Sequence, residues 1–208
     1  GSRALSGTPR ATASFRSNPL GLAEFTLSRK DPSYVGKAKE VRAFTKALAD
    51  GKAPGEIAPE LEEVFSALEA VPECGAILGK SVSLASAVYA RKPGDGSARE
   101  QAASCQRVLG GGANIAEEYA TKRYRSNLIN WGMIPFVLDG EPPFSAGSWI
   151  FVPGVRQAME RGETVFPAYA AGKGSCEKIT LETGVLTEDE RAVILAGSLI
   201  NFNRKKTS

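Results

Sequence analysis

The 208-residue chain contains no histidine. That absence removes imidazole-based zinc sites, Ser-His-Asp triads and imidazole acid–base chemistry together. Cysteine is scarce: Cys74, Cys105 and Cys176 are odd in number and far apart. With no CxxC pair, neither a disulfide framework nor a metal-ligand spacing is visible. No apolar run is long enough to span a membrane and no signal peptide opens the chain, so a reducing cytoplasm is the expected compartment. An excess of one charge is also missing. The 26 basic and 23 acidic residues leave a formal net charge of +3, too little for a nucleic-acid footprint. The basic group Lys122, Arg123 and Arg125 reads as a solvated helix face, and residues 204–208 read as a frayed tail. Gly1-Ser2 reads as a cloning remnant, and the abrupt start at Arg3 suggests a piece of something longer.

What is present is ordinary globular material. An apolar fraction of 42% and a charged fraction of 24% argue against global disorder. The length suits one good core, and the chain is expected to form a single domain over residues 1–208. Residues 1–14 are small and polar and read as an irregular opening segment. Helical periodicity is carried by Val35 to Asp50, stopped by Gly51, and by Pro59 to Val71, ended by Pro72. The run Gly51 to Gly55 between them reads as a linker. Val82 to Ala90 reads as a buried strand, Ala98 to Leu109 as a helix stopped by three glycines, and Ala113 to Ala116 as a short strand. Tyr119 to Trp131 is helical. Met133 to Leu138 is a strand whose Pro135 puts it near an end or edge. Trp149 to Val152 and Glu177 to Leu181 are further strand candidates, and Val155 to Glu160 is a helical turn. Thr187 and Glu190 have the spacing of a capping box that starts a last helix ending near Leu199. Strands alternating with helices predict an α/β fold with a small, mostly parallel sheet.

The segment with most chemical content is Tyr89 to Glu100, in which a strand ends, a glycine-rich turn follows and a helix begins. Glycines bring backbone N–H groups together, and a helix start adds free donors and a positive dipole end. Together they suit an oxyanion or carboxylate. Arg99 in the first turn adds a planar fork for a carboxylate. The plainer alternative is a capping box, with Ser97 at the N-cap and Glu100 three residues later. The Lys-Ser/Thr ending of a phosphate-binding Walker loop is missing.

Three blocks taken in order carry a family resemblance. The first is Gly94-Asp95-Gly96-Ser97-Ala98-Arg99-Glu100, followed by Leu109-Gly110-Gly111. The second is Asn127-Leu128-Ile129-Asn130-Trp131-Gly132-Met133-Ile134-Pro135. The third is Ala196-Gly197-Ser198-Leu199-Ile200-Asn201. They resemble the G-x-G-S-S-R-E … L-G-G, N-L-x-x-x-G-L-L-P and A-G-S-A-L-N patterns of the C-terminal swivel domain of the aconitase superfamily. The stretch Ser14 to Val41 looks closest to the superfamily's lesser-known hydratase branch, and the isopropylmalate isomerase small subunit is a relative. The second serine of the signature is Ala98 here, which puts one substrate hydroxyl contact in doubt. The D-x-x-T-D stretch common at the start of these domains is absent.

The resemblance implies a swivelling β/β/α barrel-like domain. It also implies a hydro-lyase that dehydrates or hydrates a hydroxy di- or tricarboxylate. Carried onto matching positions, Ser97 is the catalytic base, and Arg99, with Gly96 and Ala98 beside it, meets the substrate carboxylate. Arg16, in Phe15-Arg16-Ser17-Asn18, is matched to a second carboxylate-binding arginine. A [4Fe–4S] cluster is expected in partner domains or a large subunit and none in this chain, which is expected to be inactive alone. The competing class is a non-catalytic or RNA-binding regulatory relative; the near-neutral charge argues against strong nucleic-acid binding by this domain.

Overall fold

The computed structural model describes residues 20, 23, 32–78, 82–172 and 174–207. Arg16 and the opening segment 1–14 lie outside the described residues.

From Pro32 onward comes a helical layer: α1 (Pro32–Ala49), α2 (Pro54–Ile57), α3 (Pro59–Glu69) and α4 (Pro72–Leu78). Prolines open each of these helices, where the missing N–H has no intrahelical partner to lose. The expected face of α3 is inside, with Leu61, Val64 and Leu68 buried. The predicted linker after Gly51 holds the short helix α2, and Pro72 starts a new helix as well as ending the old one.

The α/β part follows: β1 (Ser86–Ala90), α5 (Arg99–Val108), β2 (Gly111–Ala116), α6 (Lys122–Asn130) and β3 (Ile134–Val137). Then come β4 (Trp149–Phe151), α7 (Val155–Glu160), β5 (Val165–Gly172), β6 (Ser175–Glu182), α8 (Glu188–Ala196) and α9 (Leu199–Thr207). One six-stranded sheet has the order β1-β2-β3-β6-β5-β4. β1, β2 and β3 run parallel, and β3-β6, β6-β5 and β5-β4 pair antiparallel. The α/β class is as expected, but the sheet is mixed and not mostly parallel. The antiparallel half is built on the β5–β6 hairpin, and β5 was not anticipated from sequence.

The strand expected over Val82 to Ala90 is shorter and lies at one end of the sheet. Pairing with β2 begins only where Ser86 meets Gly111, because the chain enters β2 from the turn at Leu109 and Gly110. Residues 82–85 therefore have no ladder to join. Helix α1 covers this end: the Thr45 hydroxyl donates to the Leu84 carbonyl at 2.9 Å, and the Tyr34 and Ser86 hydroxyls are 3.1 Å apart. β3 is interior in the strand order despite Pro135. β6 joins it only at Val137, so at Pro135 the pairing is to β2 alone and no ladder bond is lost.

The main core joins Ile115, Phe136, Phe166 and Leu181 of the sheet to Ala158 and Met159 of α7 and Val193 and Ile194 of α8. On the parallel half, α5 and α6 meet through Ala102, Ala103, Tyr124 and Leu128. Val35 and Ala38 of α1 cover Cys105 and Leu109. Val64, Leu68, Cys74 and Leu78 seal the β5 end. Thr187 makes the predicted capping box: its hydroxyl accepts from the Glu190 N–H, and the Glu190 carboxylate accepts from the Thr187 N–H. The last helix does not run to Leu199. Left-handed Gly197 closes α8, and the Ser198 hydroxyl accepts from the Asn201 N–H to start α9. Residues 199–207, the expected end of the chain's order included, are helical.

Candidate functional site

The three parallel strands deliver their C-terminal ends to one edge of the sheet, the usual place for a ligand crevice in such folds. The turns after β1 and β2 meet there. The Glu118 N–H donates to the Arg91 carbonyl at 3.1 Å, and the Ala120 N–H to the Pro93 carbonyl at 2.9 Å. Ion pairs reinforce this seam. Lys92 Nζ is 2.6 Å from Glu118 and Arg91 Nε is 3.4 Å from Glu117, whose carboxylate also accepts from the Tyr89 hydroxyl at 3.1 Å.

Gly94 is the pivot of the loop. Its φ is +97°, and a Cβ built on it would lie 2.5–2.7 Å from Cβ, Cγ and Cδ1 of Tyr124, so only glycine lets the backbone rest on that ring. The Gly94 carbonyl accepts from Arg99 Nε at 2.9 Å and from the Thr121 hydroxyl at 3.3 Å. Tyr124 is buried, and its phenol oxygen accepts from Asn114 Nδ2 at 3.0 Å. Burial pushes the Tyr124 phenol up to about 12 and the neighbouring Tyr119 higher still, so both are neutral struts.

Ser97 is exposed, two residues ahead of α5. Ser97 and Glu100 do not form the capping box that their spacing allowed. The N-cap is Ala98, at φ −93° and ψ 52°, and no side chain caps the helix. The N-cap falls one residue later than expected because the chain leaves the loop through Ala98, whose methyl has nothing to accept with. The first-turn N–H groups of α5 are thus left without a side-chain cap, beside Ser97 and Arg99. Gly96 is half-buried and, unlike Gly94, does not take a positive φ. Among the described residues, the Nη groups of Arg99 have no hydrogen-bond or ion-pair partner beyond the Nε bond already named. Two shallow concavities of the described surface lie elsewhere, one along α3 near Gly174 and one between Asp139, Pro143 and β6. Ser97 lies on an open face.

The basic group on α6 is not uniformly solvated. Lys122 and Arg123 are exposed, but Arg125 turns back into the fold. Its Nη2 donates to the carbonyls of Thr183 and Val185 at 3.1 and 3.3 Å, and its Nη1 is 3.7 Å from Glu190. Its place beside Lys122 and Arg123 in one basic cluster gave no sign of this. Thr121, by contrast, has a local signature, a hydroxyl residue immediately before a helix.

The three sequence blocks converge in space. Gly132 ends α6 with a φ of +74°, and a Cβ on it would lie 2.0 Å from the carbonyl oxygen of Gly197. Arg107 of α5 ties the junction, donating to the carbonyls of Gly197 at 3.2 Å and Gly111 at 2.9 Å.

Residues 83–141, from the lead into β1 to the turn after β3, match the family profile of the aconitase C-terminal domain. Over that stretch the chain is similar to an aconitase C-terminal domain. It is 30% identical over 117 residues, 54% of its length, to a mitochondrial protein of Aspergillus fumigatus named as an aconitate hydratase. It spans only 14% of that relative's length. A solved 3-isopropylmalate dehydratase from Methanocaldococcus jannaschii is similar at a TM-score of 0.44 and 23% identity. That likeness covers 58% of this chain and 64% of the other.

The cysteines of this chain do not fit an iron–sulfur cluster. Cys74 and Cys105 are buried in separate cores, and Cys176 packs beside Cys74. Burial pushes the Cys74 thiol up to about 11, away from the thiolate a metal needs. Among the described residues no three His, Cys, Asp or Glu side chains converge as ligands, and no helix is long and apolar enough to cross a membrane.

Proposed function

We propose that this domain grips the substrate of a hydro-lyase and removes its proton, acting on a hydroxy di- or tricarboxylate. One observation carries the reading: Arg99 is held through Nε while its two Nη groups have no partner among the described residues, beside an exposed serine at a helix start without a side-chain cap. A guanidinium fixed this way presents a fork that matches one carboxylate in two places. Water elimination breaks a C–H bond next to a carboxylate and a C–O bond. The groups gathered here address the first. Ser97 Oγ first gives its own proton to solvent; as the alkoxide it takes the proton from carbon and returns to a hydroxyl, while the C–H electron pair forms the C=C bond and hydroxide leaves toward the partner's side of the site. The alkoxide's negative charge is favoured by the α5 N–H groups and dipole and by Arg99. An unassisted hydroxyl is far too weakly acidic for this, so the face has to be covered and dried by a further domain or a large subunit. The small share of the Aspergillus relative that this chain spans supports such a partner. The iron–sulfur cluster implied by the resemblance is assigned to that partner, and Arg16 to a second carboxylate. Ala98 brings no hydroxyl to the substrate, which points to an acid with fewer polar groups at that position.

The test uses the complete protein with its partner domains, assayed on small hydroxy di- and tricarboxylates and on aconitate. Arg99→Lys is expected to raise KM by roughly tenfold or more, because a point charge replaces a two-toothed fork. A wild-type complete protein inert on all such acids would sink the proposal.

A further inference from the structure

We infer that Thr121 is a positioning residue for Arg99, with its hydroxyl spanning the start of α6 and the loop that holds the guanidinium. The inference rests on the reading of Arg99 as the carboxylate grip. A hydroxyl has one proton to give and two lone pairs to receive. Thr121 uses both capacities: Oγ1 accepts from the Tyr124 N–H at 3.2 Å and donates to the Gly94 carbonyl at 3.3 Å. That same carbonyl holds Arg99 Nε at 2.9 Å. Gly94 is thereby fixed on three sides, by the Thr121 hydroxyl, the Arg99 side chain and the Tyr124 ring under its Cα. The Tyr124 ring is in turn held by Asn114 Nδ2, from β2. The direction in which Arg99 presents its Nη groups is set by the Gly94 carbonyl, and among the described residues Thr121 is the only other side chain bonded to that carbonyl. Thr121 is 22 residues from Arg99 along the chain (121 against 99) and on a different helix, so the coupling is tertiary.

A cap alone would predict something else. Loss of a threonine cap destabilises a helix and leaves the geometry of a distant arginine alone. The two roles separate in the complete protein with Thr121→Val, which keeps the shape and loses the hydroxyl, and Thr121→Ser, which keeps the hydroxyl. The first readout is amide hydrogen exchange of the 94–101 segment, which needs no activity. Thr121→Val should exchange faster there, and Thr121→Ser should match wild type. The second is KM for aconitate, assayed well below each variant's melting transition. Thr121→Val should raise it roughly three- to tenfold, the worth of about one hydrogen bond, with kcat changed less and Thr121→Ser restoring it. If Thr121→Val loosens only α6 while 94–101 exchange and KM stay at wild-type values, Thr121 is a cap and the inference is wrong. If the loop loosens as expected but wild type turns over no hydroxy acid, the positioning stands and the proposed function falls.

Discussion

Replacing Gly132 by alanine tests the junction on which the three sequence blocks converge. Gly132 sits at φ +74°, and its added Cβ would lie 2.0 Å from the Gly197 oxygen, 2.2 Å from its carbonyl carbon and 2.8 Å from its Cα. The obstacle is backbone, so no side chain can swing away. Gly197 is itself held as the left-handed cap of α8 and by the guanidinium of Arg107. A left-handed conformation costs a non-glycine residue about 1–2 kcal/mol. Overpacking adds about 1–3 kcal/mol, and an unyielding neighbour puts this site at the upper end. Gly132→Ala should therefore cost about 3–5 kcal/mol, a large part of the roughly 5–15 kcal/mol that holds a domain together. Gly140 provides the control: its φ is +83°, but nothing lies within 4 Å of an added Cβ. Gly140→Ala should pay the backbone cost alone, about 1–2 kcal/mol. Urea unfolding of both variants, compared at unchanged m-value, isolates the steric part. Equal destabilisation by the two substitutions would mean that the α6 end and the α8–α9 corner do not meet as described.

Arg125→Met should cost about 1–3 kcal/mol in the same assay, because the carbonyls of Thr183 and Val185 lose a charged donor; a cost near zero would return Arg125 to the solvated face. All five tyrosines, Tyr34, Tyr89, Tyr119, Tyr124 and Tyr169, have phenols held above the ordinary value, Tyr169 chiefly by its bond to Glu73 and the others chiefly by burial. A raised folded pKa gives stability that is complete below the unfolded value and is lost as pH rises through the folded one. Near pH ~10, the unperturbed tyrosine value, native protein should show far less phenolate absorbance than the same protein in denaturant, and stability should fall from there upward. Equal absorbance in the two states would contradict the buried tyrosine network under Gly94.

Local signals in the sequence located several helices and their ends. The glycine run after α5, the Thr187–Glu190 pair and the apolar face of α3 each act within a few residues, so pattern reading reaches them. β5 was hidden because Pro167 and its alanines lower strand propensity, and its state is decided by an eight-residue register with β6. The interior place of β3 was hidden because one bridge, Val137 to Glu182, decides it. At the candidate site the loop and Arg99 were legible, since a glycine turn before a helix is a local event. Ser97 and Glu100 have the right spacing for a capping box, but spacing does not fix which residue leaves the loop. The bonds that organise the site, from Thr121 to Gly94 and from Asn114 to Tyr124, join elements brought together only by folding.

The central claim is that Ser97 acts on substrate and does not serve the helix. The direct measurement is Ser97→Ala in the complete, partner-assembled enzyme, with turnover and melting temperature read on the same preparation. Since no side chain caps α5, stability should stay within about 0.5 kcal/mol of wild type. Turnover should fall by roughly a hundredfold or more with KM little changed, the pattern for a group used in the transition state. Retained turnover in Ser97→Ala, whatever its melting temperature, would contradict the account.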